Sequence, residues 1–256
     1  MQEIFSDLKR VIEQGIPAVL CVVTDTSGST PRKAGSKMLV FQDGSIKGTI
    51  GGGSIEFQVI QDALKNISCG TPFSKRFNLE DDLKMHCGGT MDVYFEAIGC
   101  LPKLYIFGGG HIGKALAGYA SGLGFRPFVF DQRDEIFDAW NLPGVEIRTG
   151  DFLHIIDSLT FDNNTYIAIV THKHDFDETV LLACVPREFA YIGMIGSKRK
   201  VAEIRKNALE NKNISEDRLN KVDMPIGIPF AAETPAEIAI SIVAKMIDVK
   251  NTRKKA

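Results

Sequence analysis

Residues 104–133, LYIFGGGHIGKALAGYASGLGFRPFVFDQR, have the types and spacing to hold a nucleotide. An apolar run, Leu104–Phe107, leads directly into Gly108, Gly109, Gly110, His111, Ile112 and Gly113. The pattern predicts a strand, a glycine turn and a helix from about Ile112 to Gly122. A second strand, Arg126–Phe130, then ends at Asp131. In that setting Gly108 permits a tight turn, Gly110 lets a diphosphate approach the backbone, and Gly113 lets helix pack on strand. The helix N-terminus adds unpaired N–H groups and a positive dipole end. Asp131 follows the first glycine by about 20 residues, the spacing of a carboxylate that accepts ribose hydroxyls. It fits a strand-end turn residue as well. Arg133 suits a 2′-phosphate or an ordinary solvated position.

Two more strand ends carry polar clusters. Thr171, His172, Lys173, His174 and Asp175 follow the strand Tyr166–Val170, and Gly196, Ser197, Lys198 and Arg199 follow Tyr191–Ile195. Ligands of doubly wound sheets lie beyond the carboxyl ends of the strands. His172-x-His174, if extended, directs both imidazoles to one side. With Asp175 or Asp177 such a pair can bind a metal. No third imidazole is local, so we expect ligand-facing histidines and no metal site. Gly196, Ser197 and Lys198 open a predicted helix. They suit an anion, and Ser197 suits a plain N-cap.

The first hundred residues hold three further clusters. Gly28-Ser29-Thr30-Pro31-Arg32 offers a cation in a turn. Gly51, Gly52, Gly53 and Ser54 precede a helix and form either an anion cradle or simple turn geometry. Met85-His86-Cys87-Gly88-Gly89 places a thiol beside a histidine in a glycine-rich turn. There it is a poorer candidate for packing than for chemistry, and a thiolate would be stabilised by a nearby cation. Cys21 lies within a strand and reads as packing. No GxSxG, HExxH or P-loop occurs, so serine hydrolase, zincin and NTPase readings lack support.

These residues need positioning elements. Residues 1–15 predict a helix with Ile4, Phe5, Leu8, Val11 and Ile12 on one face. Strands follow at 18–24, 37–41 and 46–50. Ser54 is read as the cap of a helix whose face is Phe57, Ile60, Leu64 and Ile67. Strands at 73–79 and 91–98 complete a strand-rich α+β region over 1–100, with 99–102 as linker. From 103 to 250 strands and helices alternate, which predicts a Rossmann-like parallel sheet covered on both faces. The fold class is therefore α/β, an α+β domain followed by a doubly wound domain.

Composition narrows the class. The 256 residues carry a net charge of −2 and five scattered cysteines without a CxxC pair. We expect a cytoplasmic protein with no disulfide framework, no nucleic-acid partner and no membrane span. The first 15 residues are amphipathic and contain acids, unlike a signal or transit peptide.

Seven blocks together resemble the xanthine dehydrogenase accessory protein (XdhC/CoxI) family. They are GSTPRKAGSKMLV at 28–40, GTIGGGSIE at 48–56, MHCGGTMDVYFE at 85–96, LYIFGGGHIGKALA at 104–117, THKHDFDE at 171–178, YIGMIGSKRK at 191–200 and PIGIPFAAETPAEIAISIVA at 225–244. The resemblance implies an N-terminal XdhC/CoxI domain, a C-terminal Rossmann domain and a role in maturing molybdenum hydroxylases. It implies binding of the molybdenum cofactor, its sulfuration with a cysteine desulfurase, and its delivery to an apo molybdenum hydroxylase, by a homodimer. It places Cys87 at the metal or sulfur. The glycine turn with Asp131 and Arg133 independently suits NAD, NADP or a pterin nucleotide at the Rossmann site. The chain departs from the family pattern at Pro229 and Phe230, and at Ser54, where the resemblance implies Cys in many relatives. The alternative is an NAD(P)-dependent oxidoreductase using His111, His172 or His174.

Overall fold

The structure, a computed structural model, describes residues 2–67, 71–80, 88–211 and 214–253. The chain divides into two units, Met1–Cys100 and Leu101–Ala256.

The first unit contains α1 (Gln2–Gln14), β1 (Ala18–Ser27), β2 (Lys37–Phe41), β3 (Ile46–Gly48), α2 (Gly53–Asn66), β4 (Phe73–Asn78) and β5 (Thr90–Ile98). Its antiparallel sheet has the order β3-β2-β1-β5-β4. Alternation along the strands sends Val19, Cys21, Val23, Met38, Val40, Met91, Val93 and Phe95 to one core, which Ile55, Val59 and Ala63 of α2 complete. Two helix faces differ from the sequence expectation. On α2, Phe57 is 65% exposed while Ile55, Val59, Ala63 and Ile67 are buried. The helix carries two apolar stripes, and the one with small Ala63 and branched residues at i, i+4 spacing allows close approach to the sheet. On α1, Phe5 and Ile12 are about half exposed and Val11 is fully buried.

The second unit contains β6 (Lys103–Phe107), α3 (His111–Ser121), β7 (Arg126–Asp131), a 3-10 turn (Asp134–Phe137), β8 (Glu146–Thr149), α4 (Phe152–Ser158), β9 (Thr165–Ile169), α5 (His174–Cys184), β10 (Tyr191–Met194), α6 (Lys198–Asn211), α7 (Glu216–Leu219), β11 (Val222–Asp223) and α8 (Pro235–Arg253). Its six strands are parallel in the order β11-β10-β9-β6-β7-β8. The chain direction across the sheet reverses between β6 and β9, which makes that pair the topological switch point. Leu116, Ala117 and Ala120 of α3 join Ile242, Val243 and Met246 of α8 in one core. Ile155 and Ile156 of α4, Val180 and Leu181 of α5, and Ile204 of α6 join a second core. The protein is thus α/β, an α+β unit followed by a Rossmann-like doubly wound unit. The seven residues of α4 are too few for a 3.6-residue period to show in sequence. That helix is started by Asp151, whose carboxylate accepts the His154 N–H at 3.0 Å. At the head of α8, Thr234 and Glu237 form a reciprocal capping box. No helix among the described residues is long and apolar enough to cross a membrane.

Candidate functional site

The β6–α3 turn divides the work of its glycines. Gly108 has φ +119°, and a β-carbon there would collide with the Val170 carbonyl. A β-carbon on Gly113 would collide with the Gly108 carbonyl, so that glycine is what lets α3 pass close to the turn. A β-carbon on Gly109 would come within 2.8 Å of the Phe137 ring. Gly110 differs from all three, because a β-carbon there meets nothing within 4 Å. Gly110 is the N-cap of α3, with no side-chain cap and no acid in the first helical turn. His111 is exposed and Ile112 half-buried at this helix start. Space and N–H groups therefore meet at Gly110, the arrangement an anion needs.

Asp131 ends β7 beside this turn and is fully buried. Its Oδ2 accepts the Gly109 N–H at 2.8 Å and an Arg133 guanidinium N–H at 2.9 Å. Its Oδ1 accepts the Arg133 backbone N–H at 3.1 Å and Nε–H at 2.9 Å. Burial alone would raise its pKa, but these hydrogen bonds outweigh it and hold the carboxyl below the ordinary range. The four acceptor positions of a carboxylate are all engaged, so a ribose hydroxyl reaches Asp131 only by displacing one of these donors. The sequence spacing carries no sign of this internal use. Arg133 remains one-third exposed, with its fork fixed by Asp131.

The β9 and β10 ends hold the next cluster. Thr171 donates from N–H and Oγ1 to Asp177 at 3.0 and 2.7 Å. Asp177 also pairs with Lys200 Nζ at 2.5 Å, and both side chains are largely buried. One carboxylate thus connects the loop after β9 to α6. Sequence reading passes over Lys200 because a lysine within a basic run looks solvated. α5 begins at His174, so His172 and His174 do not lie in one extended segment as expected. His172 is exposed, and its ring lies 5.5 Å from that of Phe176. Gly196 is half-buried and Ser197 and Lys198 are exposed. Ser197 Oγ accepts the Lys200 N–H at 3.3 Å, which gives it the capping role.

In the first unit, Gly51, Gly52 and Gly53 all have positive φ. Glu56 supplies the anion for this turn itself, accepting from Thr49 Oγ1 at 2.6 Å and from the N–H groups of Ile50 and Gly52 at 3.2 Å. Gly52 is the N-cap of α2, and Ser54, one residue inside the helix, does not cap it as expected. Arg32 is exposed. The neighbouring Pro31 packs on Gly51, where a β-carbon would come within 2.6 Å of it. Gly28 lies against Gly88 and Gly89, so the blocks at 28–32, 51–53 and 88–89 converge. Cys87 lies outside the described residues. Cys21 and Cys184 are fully buried, and burial pushes each thiol up to about 12, in keeping with packing.

Comparison with known proteins follows the same division. A sequence profile of the XdhC Rossmann domain matches residues 104–246, and one of the XdhC and CoxI family matches residues 11–78. YqeB of Escherichia coli (strain K12) is 33% identical over 97% of this chain and 46% of its own length. A protein of Bacillus subtilis (strain 168), described as one of the subunits of a probable xanthine dehydrogenase, is 26% identical over 64% of this chain and 48% of its own length. The chain thus spans about half the length of these two relatives. The molybdenum cofactor insertion chaperone PaoD of Escherichia coli (strain K12) is 24% identical over 92% of this chain and 84% of its own length. A crystal structure described as a xanthine dehydrogenase from Bacillus halodurans shares the fold, with a TM-score of 0.54, 22% identity, and 97% and 96% of the two chains covered. The chain belongs to the XdhC and CoxI family.

Proposed function

We propose that the protein is an accessory factor for molybdenum hydroxylases. It binds the molybdenum cofactor as cargo, aids its sulfuration and passes it to an apo-hydroxylase. The likeness to a molybdenum cofactor insertion chaperone along 92% of this chain carries the reading. Cys87 is the thiol assigned to the metal end, as a soft ligand or a sulfur relay. Arg32, Gly52, Gly53 and Ser54 in the first unit, and the strand-end residues Gly108–Gly113, Asp131, Arg133, Thr171, Gly196, Ser197 and Lys198 in the second, are the assigned binding positions. A cysteine desulfurase is the sulfur donor, and the working form is a homodimer.

A second reading draws on the open helix start at Gly110. It makes the Rossmann unit an NAD or NADP site, with His111, His172 or His174 as the acid–base group. Mass spectrometry of small molecules released from freshly purified protein separates the two. A molybdopterin is expected under the first reading. A dinucleotide without a pterin, together with turnover of nicotinamide absorbance, replaces it with the second.

A further inference from the structure

A groove of about 590 Å³ lies in the first unit between α1, the 32–37 loop and β3. Its walls carry Asp7, Arg32, Lys37, Lys47, Gly48 and Thr49. The register explains why the lysines meet. Lys47 on β3 stands opposite Leu39 on β2, and Lys37 lies two residues from Leu39, so both side chains leave the same face of the sheet. Ile4 and Asp7 of α1 line the groove beside these lysines, and Ile4 lies against Gly48. Lys37 Nζ is anchored on the Gly35 carbonyl at 3.0 Å. Pro31 seated on Gly51 fixes the chain just before Arg32.

The charge of this groove is not neutralised from within. Among the described residues, none of Arg32, Lys37 and Lys47 forms an ion pair. The one acid on the wall, Asp7, is engaged by Arg10 at 3.0 Å. Three cations around a concavity repel one another and focus a positive potential into it. The volume falls within the range of about 300–1,000 Å³ typical of small-molecule sites. A net charge of −2 over 256 residues disfavours a nucleic-acid surface. An arginine fork flanked by two ammonium groups suits a dianionic tetrahedral oxyanion better than a single carboxylate.

We propose that this groove binds the phosphate ester of a small molecule, held by Arg32, Lys37 and Lys47. The proposal rests on the maturation reading only for its natural ligand, whose phosphate this groove would seat. Calorimetric titration of the full chain with inorganic pyrophosphate at low ionic strength tests it. Saturable binding is expected, weakened about tenfold or more in the triple variant Arg32→Gln, Lys37→Gln, Lys47→Gln. The variant Lys221→Gln, a charge change in the other unit, should bind as the parent does. Lys47→Gln alone is at an exposed position and should weaken binding severalfold, so the test survives if the triple variant does not fold. No saturable binding by the parent, or equal affinity in the triple variant, overturns the groove. Tighter binding of a DNA duplex than of pyrophosphate overturns the small-molecule assignment. Lost pyrophosphate binding with undiminished activation of an apo-hydroxylase keeps the groove and removes its link to maturation.

Discussion

The buried carboxylate of Asp131 accepts the Gly109 N–H at 2.8 Å, tying the end of β7 to the glycine turn after β6. The same carboxylate fixes the Arg133 fork. Its lowered pKa makes it a stabilising group whose contribution is full above the unfolded-state value of about 3.9 and is lost as pH falls through the folded value. Asp131→Asn should therefore destabilise the protein at neutral pH by about 1–3 kcal/mol and shrink the loss of stability below about pH 4. Urea melts from pH 7 to pH 3 measure both. An unchanged acid limb in the variant refutes the assignment.

Gly110 and Gly113 should behave oppositely. Gly113→Ala forces a β-carbon into the Gly108 carbonyl and should cost about 1–3 kcal/mol or prevent folding. Gly110→Val enters open space, so its thermal midpoint should stay within a few degrees of the parent while any nucleotide affinity at the α3 start falls at least tenfold. Melting curves with NAD or NADP titrations read the contrast. Unchanged affinity in folded Gly110→Val moves the ligand elsewhere.

The Lys200–Asp177 pair is buried on both sides. Lys200→Met removes the ammonium from a carboxylate that is 1% exposed and should cost about 3–5 kcal/mol. The double variant Lys200→Met, Asp177→Leu should be more stable than Lys200→Met alone, because it no longer buries that charge. A double variant that is less stable than either single change would mean that the loop contacts of Asp177, not its charge, dominate.

The thiols should separate by reactivity. Cys21 and Cys184 stay protonated and enclosed at pH 8, so iodoacetamide should leave both unmodified in the folded protein while Cys87 is alkylated. Cys87→Ser should keep the melting midpoint and lower activation of an apo-hydroxylase at least tenfold in a reconstitution with cofactor and sulfur donor. Cys21→Ser should act through stability alone, at about 1–3 kcal/mol for a buried hydroxyl. Full activation by Cys87→Ser removes the thiol from the mechanism.

The chain's one-dimensional pattern determined the class of each unit. Local periodicity and glycine spacing announce β6, the turn at Gly108–Gly113 and α3, because those features depend on residues within a few positions of one another. The capping box at Thr234 and Glu237 is local for the same reason. Tertiary structure decided what each polar group faces. Asp131 has the spacing of a ribose acceptor, yet Gly109 and Arg133 consume its oxygens, and Glu56 consumes the N–H groups of its own glycine turn. Which stripe of α2 is buried depended on the sheet beneath it, and Lys200 gained its role from Asp177 across a loop. Lys37 and Lys47 meet through strand register, and they meet Arg32 through the fold of one loop. Such partnerships join residues distant in sequence, and pairing them takes the closed geometry of the fold.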